Sequence, residues 1–212
     1  MPDESSSEKP KFNFHQIEYT QISESHCGPA TLQMMLGSLG IAADQAEIAE
    51  AGGATPNIEL QGMRVDQLAL AIHRLFPQLR FWYKDHATIA ELVVLINEHH
   101  TPVGVEWQGL FDDDEEEDDS DEDDDDYGHY SVAIHADLEK KLLIIADPYK
   151  DYISQDRIFT FDEFEQRWYD YNEVTDPKTG KTKLVEDFHM LFVVTPQEET
   201  FPETIGLQSY GE

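Results

Sequence analysis

The stretch Gln21-Ile22-Ser23-Glu24-Ser25-His26-Cys27-Gly28-Pro29-Ala30 joins a polar segment to an apolar one, and the rest of the chain is read outward from it. Beyond it Ala30, Leu32, Met34, Met35, Leu36 and Leu39 recur with helical spacing. Pro29 fits a first helical turn, where its missing N–H costs nothing, and Gly40 suits the stop. Cys27 thus stands at a helix N-terminus, where the macrodipole and the free N–H groups favour a thiolate. Gln21, six residues upstream, has a side-chain amide that can reach back across the loop and donate to an oxyanion beside the Cys27 N–H. A lone cysteine is more often an inert core residue. The glutamine ahead of it and the apolar helix behind it favour a nucleophile.

A thiol nucleophile needs a base and a group that orients the base. Of the nine histidines, His15, His73, His86, His99 and His100 fall in loops or on helical surfaces and read as solvent-facing. His26 adjoins Cys27 but, as its neighbour at a helix start, points elsewhere. His135 and His189 lie in or near strands and read as core or edge residues. His129 opens the strand-like run that starts at Gly128-His129-Tyr130, and a strand can aim an imidazole. The next apolar run ends in Ala146-Asp147-Pro148. Paired as a hairpin, the two runs bring Asp147 near the His129 ring, where it would fix the tautomer.

The order Gln-x5-Cys-Gly-Pro-Ala, Gly-His-Tyr, Asp-Pro and then Phe164 and Trp168 in Phe-Asp-Glu-Phe-Glu-Gln-Arg-Trp resembles the bacteriocin-processing cysteine peptidases. Those enzymes have a papain-like fold and cut leader peptides after a double glycine. The resemblance spans about residues 16 to 196. It implies Cys27 as nucleophile, His129 as general base and acid, Asp147 as orienter and Gln21 as oxyanion donor, with no cofactor. The best-known members are joined to membrane-spanning transporter domains, which this chain lacks, so it is similar to the free-standing branch. Double-glycine specificity is therefore not carried over. The connection between Trp107 and Gly128, short in the family, here holds a long acidic run.

Other elements follow from pattern. Asp44 with Glu47 reads as the start of a helix ending at Gly52-Gly53, and Val65 to Phe76 as an amphipathic helix closed by Pro77. Leu79 to Tyr83 reads as a strand, Thr88 with Glu91 as the cap of a helix through Asn97, and Pro102 to Trp107 as another strand. Tyr130 to Ala136 and Leu142 to Ala146 form a hairpin, Phe161 to Tyr169 a short helix, Asp176 to Gly180 a turn and His189 to Thr195 a last strand. The aromatic-rich segment Phe159 to Tyr171 reads as core packing under the hairpin. A mainly helical N-terminal half and a mainly β C-terminal half argue α+β with antiparallel pairing. Residues 1–14 read as a disordered lead-in, 15–196 as one papain-like domain carrying a disordered insertion at 112–126, and 197–212 as a polar tail.

Composition bounds the function. The chain has 212 residues and a formal charge of -31, and 14 of its 45 acids lie between Asp112 and Asp126. The remainder, 31 acids against 14 bases, is still acidic at -17. A salt-loving host is one source of such a background. This field repels phosphate backbones, so nucleic acid is excluded as a partner and a basic peptide or protein substrate is favoured. No apolar run is long enough to span a bilayer, no secretory signal is recognisable, and one cysteine forbids an internal disulfide; a cytoplasmic protein without membrane contact is expected. The acid run starts no calcium loop, since Asp126 occupies the position where the loop beginning at Asp121 needs glycine. Adjacent His99 and His100 would point about 100° apart on a helix, so no zinc site is expected either. Two residues separate the acid run from His129, which suggests a solvated loop, a recruiter of basic substrates or a charged lid. Two other functions use the same scaffold: a non-catalytic protein that binds a basic partner through the acid run, and an acyltransferase or transpeptidase built on the same residues.

Overall fold

The structure, a computed structural model, describes residues 19–109, 128–152, 155–175 and 179–211. The N-terminal lead-in, His15, the acid run and residues 176–178 of the expected turn lie outside the described residues.

The order is α1 (Cys27–Ser38), α2 (Gln45–Gly52), α3 (Ile58–Gln61), α4 (Val65–Leu75), β1 (Leu79–Lys84), α5 (Ile89–Asn97), β2 (Val103–Gln108), β3 (Gly128–Asp137), β4 (Leu142–Ala146), β5 (Arg157–Thr160), α6 (Phe161–Arg167), β6 (Tyr169–Thr175), β7 (Thr182–Phe188), β8 (Leu191–Pro196) and β9 (Gln208–Ser209). Local chemistry sets the helix starts. Asp44 accepts from the Ala46 and Glu47 N–H groups at 2.9 and 3.1 Å, and Gly53 closes α2 in the left-handed region. Thr88 and Glu91 cap each other's backbone at α5, and Thr160 with Glu163 repeats the device at α6. In α1 the first N–H to find an intrahelical partner belongs to Ala30, bonded to the His26 carbonyl, so Pro29 removes a donor that had none.

The main sheet has the order β5-β4-β3-β2-β8-β1-β9, and every pairing in it is antiparallel. Alternation along the strands, interrupted in β3 by a register shift between Ala133 and His135, divides the core in two. Phe192 and Val194 of β8, with Tyr130 and Val132 of β3, face α1, α2 and α4. Leu191 and Val193, with Val103, Val105 and Trp107 of β2, face α5 and α6. Gly104 lies opposite Phe192, and a Cβ there would overlap that ring. Helix α1 is buried along nearly its whole length, including Leu32, Met34, Met35 and Leu36. Each such side chain stabilises its place by about 1.5–3 kcal/mol, so the first residue of α1, Cys27, is a fixed point.

Three features go beyond the sequence reading. The short strand β5 completes the sheet edge beside β4, and β6 and β7 form a separate two-stranded ladder. Phe164 and Trp168, by contrast, are where the sequence reading put them, in the core, against Trp107 and Met190. The polar stretch after Pro196 packs on β1: Phe201 meets the edge of Trp82, Ile205 is buried, and Gln208–Ser209 pairs with Trp82 and Tyr83. Leu207 and Tyr210 add to the apolar contacts of this segment. Among the described residues no helix is long and apolar enough to cross a membrane, and no group of three or more His, Cys, Asp or Glu is placed to hold a metal.

Candidate active site

Cys27 opens α1 with its thiol buried, and no acidic residue occupies the first turn of that helix. The segment ahead of it is stitched to the far side of the site, because the Gln21 N–H donates to the Pro148 carbonyl at 2.9 Å. That single backbone bond draws the loop before the nucleophile against the residue after Asp147.

His129 comes from the start of β3, directly opposite Trp107 of β2, whose indole lies 6.2 Å from the imidazole in an edge-on arrangement. The Trp107 Nε1–H is itself held by Ser131 Oγ at 3.1 Å. The β4 strand ends at Ala146 opposite Val132, so Asp147 falls one step further along and diagonal to His129. The His129 Nε2 lies 2.7 Å from Asp147 Oδ1, and the Cys27 thiol is near enough to the same imidazole to help raise its pKa. With Nε2 on the carboxylate, Nδ1 is the nitrogen left for sulfur. Burial pushes the imidazole pKa down, but the Asp147 charge and hydrogen bond, aided by Cys27, outweigh it and lift it to about 10. Burial likewise pushes Asp147 up, and it is overcome by His129 and Arg157, which hold the carboxyl at about 2.

Gln21 is close by but differently engaged. Its Nε2 donates to the Ser23 and Glu24 carbonyls at 2.9 and 3.1 Å, and its Oε1 is buried without a partner among the described residues. Both amide hydrogens are therefore committed to its own loop. His26 is buried beside Cys27 with Nδ1 2.6 Å from Ser23 Oγ, and Ser23 Oγ also reaches Glu59. His73, His86, His100 and His135 are exposed, whereas His99 is half-buried against Phe201 at 5.1 Å. His189 is half-buried, stacked on Phe188 and Trp168, with Nδ1 2.9 Å from the Ala87 carbonyl.

The sequence reading missed two groups. Arg157 of β5 donates from Nη1 to Asp147 Oδ2 at 2.8 Å; its only sequence signal is a charge at the head of the short strand Arg157–Thr160. On the opposite face of β2 and β3, Glu106 is fully buried. Its Oε1 accepts from the Tyr130 hydroxyl and from Asn172 Nδ2 at 3.2 Å, and its Oε2 has no geometric hydrogen-bond partner among the described residues. Burial first, then the negative charge of Asp187, raises this carboxyl to about 7. Tyr130 is pushed well above its ordinary value by burial and by Glu106. Asp170, which accepts from Gln108 Nε2 at 2.9 Å, presses on Gly128 so closely that a Cβ there would overlap its carboxylate.

Residues 14–176 match the Peptidase_C39-like family. No curated protein matches the sequence. Among solved structures the chain is similar to the peptidase domain of Streptococcus ComA, a bifunctional ABC transporter involved in a quorum-sensing pathway. That likeness has 18% identity over 84% of this chain and 97% of the other, with a TM-score of 0.55. A second similar structure is a double-glycine-motif protease from an AMS/PCAT transporter in complex with its leader peptide. It shows 15% identity over 85% of this chain and 91% of the other, with a TM-score of 0.49.

Proposed function

The chain belongs to the Peptidase_C39-like family and has its papain-like fold, and from that premise we propose that it is a cysteine peptidase working through Cys27, His129 and Asp147. The observation that carries the proposal is the buried imidazole of His129, held by the Asp147 carboxylate and influenced by the Cys27 thiol.

The thiol gives its proton to His129 Nδ1, and the resulting thiolate attacks a peptide carbonyl. Asp147 keeps the imidazolium charged and its plane fixed through Nε2. The helix N-terminus favours the negative sulfur, and the Cys27 N–H donates to the tetrahedral oxyanion. Gln21 supplies the second donor once substrate draws its Nε2 away from the Ser23 or Glu24 carbonyl. His129 then protonates the leaving amine, and water, deprotonated by the same imidazole, resolves the thioester. Apart from that water, each step uses groups of the protein. The acidic field favours a basic peptide as substrate, and the acid run ahead of His129 is proposed to attract it.

The first experiment needs no known substrate. The rate of iodoacetamide alkylation against pH reports Cys27, the one cysteine of the chain. Fast alkylation at about pH 6, abolished by His129→Ala, supports the pair, because an unperturbed thiol reacts only near its pKa of ~8.5. A peptide library is then incubated with the wild type and with Cys27→Ala. Cleavage by the wild type alone supports the peptidase; slow alkylation in both proteins and no cleavage sinks it.

A further inference from the structure

Arg157 occupies the first position of β5, opposite Ile145, and Asp147 lies two residues beyond Ile145. Its Nη1 meets Asp147 Oδ2 at 2.8 Å, while Oδ1 serves both His129 Nε2 and the Tyr149 N–H, the latter at 3.0 Å. The guanidinium is confined as well as paired. It stacks 4.0 Å from the Tyr152 ring and lies 5.2 Å from both Trp107 and Phe159. The Asp147 side chain is completely buried and that of Arg157 nearly so. Trp107 thus touches both ends of the array, with His129 at 6.2 Å and Arg157 at 5.2 Å.

The catalytic cycle makes a demand that the His129–Asp147 pair cannot meet alone. His129 must alternate between imidazolium and neutral imidazole. Whenever it is neutral, a lone Asp147 would be a buried carboxylate without a counter-charge, and such a group takes up a proton or turns toward water. A second, permanent cation removes that choice, because arginine does not titrate in this range. The aromatic walls prevent the guanidinium from following the imidazole or swinging out.

We propose that Arg157 is a positioning residue for the reaction: clamped by Tyr152, Phe159 and Trp107, it keeps Asp147 charged and aimed at His129 Nε2 in both states of the imidazole. This rests on the cysteine-peptidase reading above. It assigns Arg157 no contact with substrate.

The test is the pH profile of Cys27 alkylation by iodoacetamide in the full chain, comparing the wild type with Arg157→Met and Arg157→Lys and recording a thermal melt for each. In R157M the acid limb should move up by about one pH unit or more. The plateau rate should fall about tenfold, in the range that lost support of a working group produces. R157K, which keeps the charge, should recover more than half of the shift. A purely structural role would lower the melting temperature and leave the limb in place, and that outcome overturns the proposal. Should R157M fail to melt cooperatively, Arg157→Gln replaces it, since glutamine can still donate to Asp147 but brings no charge; an unmoved limb there is equally fatal. A wild-type profile that rises only near pH ~8.5 overturns the ion-pair reading itself, whereas a low wild-type limb unaltered by these variants overturns the role of Arg157 alone.

Discussion

The His129 Nε2 lies 2.7 Å from Asp147 Oδ1, so the nitrogen facing Cys27 is Nδ1. The two partners therefore stay oppositely charged between about pH 2 and about pH 10. Asp147 titrates lower in the fold than in the unfolded chain, so its contribution to stability is present above about pH 4 and is lost as the pH falls toward 2. His129 titrates higher in the fold, so its contribution is present below about pH 6.5 and is lost as the pH rises toward 10. Asp147→Asn should flatten both flanks of the stability profile. It should also cost roughly 3–5 kcal/mol at pH 6, because Arg157 is left buried against an amide. Urea melts of the two proteins from pH 3 to 10 check this; parallel profiles would show that the pair is not linked to folding.

Gly128 and Gly104 give a paired prediction about where strain matters. A Cβ at Gly128 overlaps the Asp170 carboxylate, and one at Gly104 overlaps the Phe192 ring. Overpacking of this kind costs about 1–3 kcal/mol in either place. Only Gly128 adjoins His129, so Gly128→Ala should also displace the imidazole. We expect both alanine variants to melt at lower temperature and only Gly128→Ala to slow Cys27 alkylation at pH 6. Equal slowing in both would mean that stability, not the position of β3, governs the thiol.

Much of this was legible in the sequence because the decisive signals were local. Pro29 after Cys27, Thr88 with Glu91, and the alternation that brings Asp147 next to His129 each depend on a few neighbouring residues. What escaped depends on contacts between distant segments. Nothing near Arg157 announces that its strand will lie beside β4, and nothing near Glu106 announces Asn172 from β6. Phe201 and Ile205 sit in a polar stretch, and only their packing with Trp82 on the α5 side of the sheet joins them to the core.

Gln21 offers a test of whether the oxyanion donor is formed before substrate arrives. In the free protein its Nε2 is occupied by the Ser23 and Glu24 carbonyls. Alkylation by iodoacetamide forms no oxyanion, so Gln21→Ala should leave its rate and pH profile unchanged. Peptide cleavage should fall by about 10²–10³, the loss seen when one oxyanion donor is removed. A parallel fall in alkylation would show instead that Gln21 shapes the loop ahead of Cys27.

Glu106 makes the clearest prediction about pH and stability. Its carboxyl is raised to about 7 by burial and by Asp187, so the folded protein holds this proton more tightly than the unfolded chain does. The stabilisation is present below about pH 4.5 and is lost as the pH rises through 7, where the ionised group sits buried beside the negative Asp187. Replacing it by glutamine keeps the acceptor for Tyr130 and Asn172 and places an amide where Oε2 was. Glu106→Gln should therefore be neutral at pH 4.5 and more stable than the wild type at pH 8, by at most about 3 kcal/mol. Denaturant melts at the two pH values measure the difference directly. A gap between the proteins that does not change with pH would mean that Glu106 titrates no differently in the folded and unfolded states.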